Sequence, residues 1–219
     1  EKEEDMAQMR KLLDTTLDRQ ANRLEALDGN VTREQLITLE ADDIPVAKHK
    51  DIDEEECLRE LDKLVGLDGV KQEVRNLVNY LKLEKMRAEA LGKKFSGARD
   101  HYLFLGNPGT GKTTVARIMA DIFLSLGITT KSGIVEADRS KLVAQYVGQT
   151  APQTNQVIDS AMGGLLFIDE AYTLSQGPQD SFGQEAIDTL LKRMEDDRGK
   201  FVCIAAGYSR EMSDFLASN

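Results

Sequence analysis

Gly106-Asn-Pro-Gly-Thr-Gly-Lys-Thr-Thr114 decides the fold. The stretch satisfies Gly-x-x-x-x-Gly-Lys-[Ser/Thr] at Gly106, Gly111, Lys112 and Thr113, the spacing of a phosphate-binding loop. Its flanks agree. His101-Tyr-Leu-Phe-Leu105 reads as a short buried strand, and Val115, Ile118, Ile122, Phe123 and Leu126 recur at helical spacing. A strand, a glycine-rich turn and a helix N-terminus aim backbone N–H groups and the positive end of a helix at one point. The candidate phosphate-binding residues are therefore Asn107, Pro108, Gly109, Thr110, Gly111, Lys112, Thr113 and Thr114. Lys112 offers a point charge for β- and γ-phosphates, and Thr113 offers a hydroxyl for Mg²⁺. The competing reading, a turn with a chance lysine, does not account for the strand and helix on either side.

A second motif lies downstream. Gly163-Gly164 precedes Leu165-Leu-Phe-Ile168, and Asp169 and Glu170 follow directly. An apolar run ending in two carboxylates reads as a buried central strand that delivers acids to its C-terminal edge, where open α/β sheets bind ligands. Asp169 suits Mg²⁺, directly or through water. Glu170 suits a general base for an attacking water. A phosphotransferase acting on a small acceptor has no need of a glutamate beside the Mg²⁺ aspartate, so the pair favours hydrolysis.

The rest of the pattern alternates strand and helix. Strands are expected at 102–105, 133–137, 164–168 and 200–206, with helices near 112–126, 138–145, 151–161 and 184–196 and a last one from about Arg210. Two helices precede them. Leu58, Leu61, Leu64 and Val65 mark one ending at Gly66, and Val70, Val74, Leu77, Val78 and Leu81 mark another ending near Gly92. The expected class is α/β, a parallel sheet flanked by helices, carried by residues 58–219. Residues 1–57 read as a helical extension and connector. Met6, Met9, Leu13, Leu17, Leu24 and Leu27 form a weakly amphipathic helix broken at Asp28-Gly-Asn30. Thr32-x-x-Gln35 is a candidate cap, and Pro45 falls in an irregular acidic stretch.

Composition narrows the partners. The net charge of −10 argues against broad attraction to nucleic acid or an anionic membrane. Lys93, Lys94 and Arg99 form the one notable basic cluster and read as a solvated loop. Cys57 and Cys203 are too few for a disulfide framework or metal site, and Cys203 reads as a small core residue. No apolar run reaches the ~18 residues of a membrane span. With no secretory leader, the expected compartment is the cytoplasm.

With these residues placed, the chain from about 58 to 219 resembles the AAA+ ATPases. Within them it is similar to the branch that includes stage V sporulation protein K, the red-type Rubisco activase and the ATPases of type VII secretion. The resemblance rests on the loop, on Leu64-Val-Gly-Leu-Asp-Gly-Val-Lys71, on Leu142-Val-Ala-Gln-Tyr-Val-Gly-Gln-Thr-Ala-Pro152, on Leu166-Phe-Ile-Asp-Glu-Ala-Tyr-Thr-Leu174 and on Phe182-Gly-Gln-Glu-Ala-Ile-Asp-Thr-Leu-Leu191. It implies ATP and Mg²⁺ as ligands. It also implies an adenine-pocket segment at Val65, Gly66 and Leu67, and a pore loop at Tyr146, Val147 and Gly148. That loop would grip a protein substrate in the channel of a homo-hexameric ring. A ring of aromatic tips can hold a peptide by packing with little demand on its sequence. Alternatively, Tyr146 packs inside its own subunit.

The chain departs from the family pattern at Tyr208, which stands where many members carry a polar γ-phosphate sensor; Tyr208 is a sensor candidate. The chain opens on Glu1 and closes on Asn219, so it is expected to be part of a longer protein. The resemblance places an arginine that reaches the neighbouring site, a fifth strand and a helical lid beyond Asn219. Such fingers contribute about 10³–10⁵ in rate in related systems, so residues 1–219 alone are expected to bind nucleotide but turn it over slowly. Residues 102–105 are then expected to form an exposed sheet edge. The leading functional reading is an ATP-driven remodelling motor; a nucleotide-gated assembly module without mechanical work and a small-molecule phosphotransferase are the alternatives.

Overall fold

The computed structural model describes residues 2–25, 32, 36–40, 43, 52–93, 95, 100–177 and 179–218. The chain divides into two units, Glu1–Asp51 and Ile52–Asn219. In the first, α1 spans Lys2–Glu25. Gln20 Nε2 donates to the carbonyls of Leu36 (3.2 Å) and Thr38 (2.9 Å). Arg23 forks onto both oxygens of Asp43 at 2.8 Å each. The break at Asp28-Gly-Asn30, Gln35 of the candidate cap, Pro45, and Lys94 and Arg99 of the basic cluster lie outside the described residues.

The second unit begins with α2 (Glu54–Lys63) and α3 (Asp68–Ala90). Asp53 caps α2 by accepting from the Glu55 amide, and three glutamates in the first turn favour its positive end. The helix stops at Lys63, before the expected Leu64 and Val65. Leu64 is already extended, and Lys71 Nζ donates to its carbonyl at 2.6 Å. Beyond α3 the chain alternates: β1 (Tyr102–Leu105), α4 (Lys112–Ser125), β2 (Ile134–Ala137), α5 (Arg139–Leu142), α6 (Thr150–Ala161), β3 (Leu165–Ile168), a 3₁₀ turn (Ala171–Leu174), α7 (Ser181–Asp196), β4 (Val202–Gly207) and α8 (Ser209–Ser218). All ladders are parallel, in the order β1-β4-β3-β2.

The register sorts side chains to two cores. Leu165 and Phe167 of β3, with Val202 and Ile204 of β4, pack with α2, α3 and α4 around Leu61, Val78, Ala116 and Phe123. Leu166, Ile168 and Cys203 face the other way, against Ile158 of α6, Ile187 and Leu190 of α7 and Met212 of α8. Both faces of β3 are buried, which is why it reads as an unbroken apolar run rather than an alternating one. β1 differs. Tyr102 and Phe104 pack on the first core, while Leu103 and Leu105 are 46% and 54% exposed.

Two further helices depart from their expected extents, each for a polar reason. The helix expected over 138–145 closes at Leu142, because the Leu142 carbonyl accepts from Thr154 Oγ1 (2.8 Å) and the Ala144 amide donates to Thr150 Oγ1 (3.3 Å). α7 starts at Ser181, earlier than expected, because Asp180 caps it through the Gly183 amide. Asp180 is also gripped by Arg139, whose Nη1 and Nη2 reach its two oxygens at 2.7 and 3.0 Å. Gly183 makes this approach possible, since a Cβ there would stand 1.9 Å from the Leu174 carbonyl oxygen.

Leu166→Ala, at a site with no exposure, should destabilise the unit by about 2–5 kcal/mol, whereas Leu103→Ala should cost far less; urea unfolding reads both. The Arg139 fork, followed by the amides of Gly183 and Gln176, holds the Asp180 carboxyl at about 2 against an ordinary 3.8. A depressed folded pKa stabilises above the unfolded value, so this contribution is full above about pH 4 and is lost as pH falls through about 2. Asp180→Asn should remove it at neutral pH and flatten that acid limb in stability measurements from pH 6 to 2.

Candidate functional site

The ladders set the site. Leu105 pairs with Gly207, and Ala205 with Ile168. Parallel strands in this register end on one edge, so the turns after β1, β4 and β3 lie side by side, with strand spacings of about 4.8 Å. The Gly106 amide donates to the Gly207 carbonyl at 3.1 Å and carries the pairing one residue past β1.

The loop then turns on glycines. Gly109 has φ +70° and Gly111 φ +81°, values an L side chain adopts at a cost. Thr110 Oγ1 donates to the Asn107 carbonyl (2.8 Å) and braces the loop across its base. Gly111 caps α4 without a side-chain hydrogen bond, and the first turn of α4 holds no acid. Its leading N–H groups thus face outward with the positive end of the helix dipole. Lys112 Nζ donates to the carbonyls of Gly106 (2.9 Å) and Asn107 (3.0 Å), tucked against the loop it belongs to. Lys112 and Thr113 are half-buried, whereas Asn107, Pro108, Gly109, Thr110 and Thr114 are exposed.

Asp169 and Glu170 sit exposed at the end of β3. The Asp169 amide extends the ladder to the Ala137 carbonyl (2.9 Å), and Asp169 Oδ1 accepts from the Glu170 amide (3.0 Å). Glu170 is left-handed at φ +48°, ψ +46°. Tyr208 closes the gap between the two motifs. Its hydroxyl donates to Glu170 Oε1 at 2.9 Å, and its ring lies 5.5 Å from Lys112 Nζ and 5.5 Å from the Tyr172 ring. The bond to Glu170, then burial and the nearby carboxylate charges, push its phenol above the ordinary value. Lys112, Tyr208 and Glu170 are thus in one group, spanning the edge from β1 to β3.

Val65, Gly66 and Leu67 form the turn into α3. Val65 is 98% exposed, and Gly66 and Leu67 are both left-handed, at φ +69° and +62°. Leu67 reaches back toward the loop: its Cδ1 would lie 3.9 Å from a Cβ on Gly111. A cavity of about 760 Å³ opens between this turn and β1, lined by Leu67, Val70, Leu105, Thr110, Lys112 and Met119 among others. An apolar cavity with a cation at one end suits a ligand with a flat base and an anionic tail. Thr113 and Asp169 supply a hydroxyl and a carboxylate, the oxygen donors a hard cation takes. Among the described residues no three His, Cys, Asp or Glu gather as a closed metal cage. A cation here would complete its shell with phosphate and water oxygens, as Mg²⁺ does.

Tyr146, Val147 and Gly148 stand apart. Tyr146 is 68% exposed and Val147 88%, with Gly148 at φ +78°. The tip therefore points away from its own core, against the alternative of internal packing. Among the described residues no hydrogen bond joins it to the loop at 106–114. Arg139, Tyr172, Asp180 and Gly183 were not legible as site neighbours in the sequence. The Arg139–Asp180 contact spans 41 positions and follows no local motif, while the Asp180–Gly183 cap is local.

Comparison with known proteins adds the relationship. Residues 102–216 match the model of the ATPase family associated with various cellular activities. The chain is 44% identical over 173 residues to stage V sporulation protein K of Bacillus subtilis, an alignment covering 79% of this chain and 53% of the relative. It is 46% identical over 167 residues to the ESX-1 secretion system protein EccA1 of Mycobacterium tuberculosis, covering 75% of this chain and 29% of that protein. The chain thus spans about half, or less, of the length of the curated relatives it matches. A crystal structure of the FIGL-1 AAA domain in complex with ADP superposes at TM-score 0.48 and 19% identity, over 68% of this chain and 49% of that one.

Gly111→Ala should destabilise the unit by about 1–2 kcal/mol, the cost of a left-handed L residue. Gly69→Ala, near the start of α3 with nothing within 4 Å of its Cβ position, should be neutral or stabilising; paired thermal melts compare them.

Proposed function

This chain belongs to the ATPase family associated with various cellular activities, and on that premise we propose that it binds ATP at the loop 106–114 and hydrolyses it with Glu170 as general base. The convergence of Lys112 and Glu170 on Tyr208, at the edge where β1, β4 and β3 end, carries this reading. The adenine packs in the apolar cavity beside Leu67, and the phosphates run past Gly109 and Gly111 to the start of α4. Lys112 leaves the Gly106 and Asn107 carbonyls for the β- and γ-phosphates, exchanging two neutral acceptors for charged ones. Thr113 and Asp169 hold Mg²⁺, which neutralises phosphate charge when bound. Glu170 orients a water and accepts its proton. Tyr208, the sensor candidate, already bonds Glu170 and lies beside Lys112, so a γ-phosphate arriving between them competes for its hydroxyl.

The wider assembly belongs to the same proposal. In the longer protein the subunits form a homo-hexameric ring, with Tyr146, Val147 and Gly148 as the pore loop that engages a protein substrate. The exposure of this tip supports the reading. So does the family, in which one core serves many partners. The relatives are named for sporulation and for secretion, so their shared core reads as a power unit whose partner is chosen outside it. No helix among the described residues is long and apolar enough to cross a membrane. A net charge of −10 supports a protein substrate over nucleic acid.

Three variants test this. Lys112→Ala should lose ATP binding in calorimetry; unchanged affinity would remove the loop from the site. Glu170→Gln should keep binding and lower hydrolysis by about 10²–10⁴-fold, the share a general base supplies. A normal rate would end that assignment. Tyr146→Ala should leave ATP turnover in place and abolish remodelling of the captured partner; if remodelling persists, the assembly-module reading replaces the motor.

A further inference from the structure

We infer that Arg139 is a positioning residue that couples occupancy of the site at Glu170 to the exposed tip at Tyr146, an inference that rests on the nucleotide reading above. The coupling runs through a continuous set of hydrogen bonds. The Glu170 carbonyl accepts from the Thr173 amide at 2.8 Å, so the backbone of Glu170 anchors the 3₁₀ turn. The carbonyls at the end of that turn, Thr173 and Leu174, accept from Arg139 Nη1 at 3.0 and 2.8 Å. The same guanidinium forks onto Asp180, which also accepts from the Gln176 and Gly183 amides and so fixes the turn's far end to α7. A displacement of Glu170 therefore moves the carbonyls that hold Arg139.

On its other side Arg139 opens α5, the stem of the tip. Asp138 caps that helix through the Lys141 amide at 3.1 Å. The segment from Lys141 to Ala144 is then fastened to α6. Gln153 Nε2 donates to the Lys141 carbonyl (2.9 Å), Thr154 Oγ1 donates to the Leu142 carbonyl, and Thr150 Oγ1 accepts from Ala144. Leu142, Thr150 and Thr154 show no exposure. The stem is thus stiff, and the tip carrying Tyr146 hangs between its two fastenings. Among the described residues no other side chain of α5 bonds the 3₁₀ turn. The β2–β3 ladder, extended by the Asp169 amide to the Ala137 carbonyl, stops one residue short of Glu170 and one short of Asp138, so it anchors both ends while Arg139 bridges the turn and the stem directly. Packed side chains and hydrogen-bonded elements of this sort carry coupling between sites. Glu170, held left-handed against its preference, is the element with somewhere to go.

The 219-residue chain contains no tryptophan, so Tyr146→Trp gives a reporter at the tip alone. Mg²⁺ with a non-hydrolysable ATP analogue is the probe, calorimetry reads binding, and indole emission reads the tip. In the Tyr146→Trp parent the analogue should shift the emission. Adding Arg139→Ala should leave analogue affinity within about threefold while the emission response per bound nucleotide falls by about fivefold or more, the lower range of allosteric coupling. Arg139→Lys keeps the charge but not the fork and should behave like the alanine. Asp180→Asn should give a partial loss, and it substitutes if Arg139→Ala melts below the assay temperature. A full response in both arginine variants with binding intact overturns the inference. A parent that binds but shows no emission response overturns it too, leaving the nucleotide reading untouched; a parent that does not bind overturns both.

Discussion

Everything in the second unit depends on the parallel register of three short strands. β1, β4 and β3 end within two residues of one another because Leu105 pairs with Gly207 and Ala205 with Ile168. Shift one ladder by a single residue and the faces exchange, since side chains alternate. Phe167 would leave the core of α2, α3 and α4, and Asp169 would no longer stand level with the loop. The same pairing that buries Leu166 and Ile204 without exposure therefore fixes where the two motifs meet. Stability and site geometry are not separate achievements here; one set of backbone bonds supplies both.

The sheet was legible because its strands are buried on both faces. Leu165-Leu-Phe-Ile168 has no polar residue to confuse its period, and the glycine loop announces the strand before it and the helix after it. The candidate residues were legible for the same local reason, since phosphate loops and carboxylate pairs are contiguous strings. The N-terminal unit gave only a helix. Its Gln20 and Arg23 contacts join positions up to 20 apart, through polar side chains that carry no periodic signal.

What the sequence hid was polar and long-range. Asp180 lies ahead of the helix expected near 184–196, yet it caps α7 and holds Arg139, and this sets the helix start at Ser181. Thr150 and Thr154 stand at either side of the helix start expected near 151, and no local pattern marks them as buried. Buried, they take up backbone groups of the preceding segment and end α5 early. Tyr208 matched a sensor by position, but only the fold shows that its hydroxyl reaches Glu170 and its ring faces Lys112. Helix propensity cannot report such contacts, because each one trades a helical bond for a side-chain bond of similar strength.

Glu170 sits at φ +48° with a β-carbon that disfavours it. The cost of that conformation is about 1–2 kcal/mol, which corresponds to a population ratio of roughly 5–30 between strained and relaxed backbones. The ladder on one side and the bonds from Thr173 and Tyr208 on the other hold the minority conformer in place. A turn balanced in this way responds steeply. Losing a single hydrogen bond of ordinary strength, about 1 kcal/mol net, is enough to shift its populations several-fold. The backbone at Glu170 is thus a sprung catch rather than a fixed bracket.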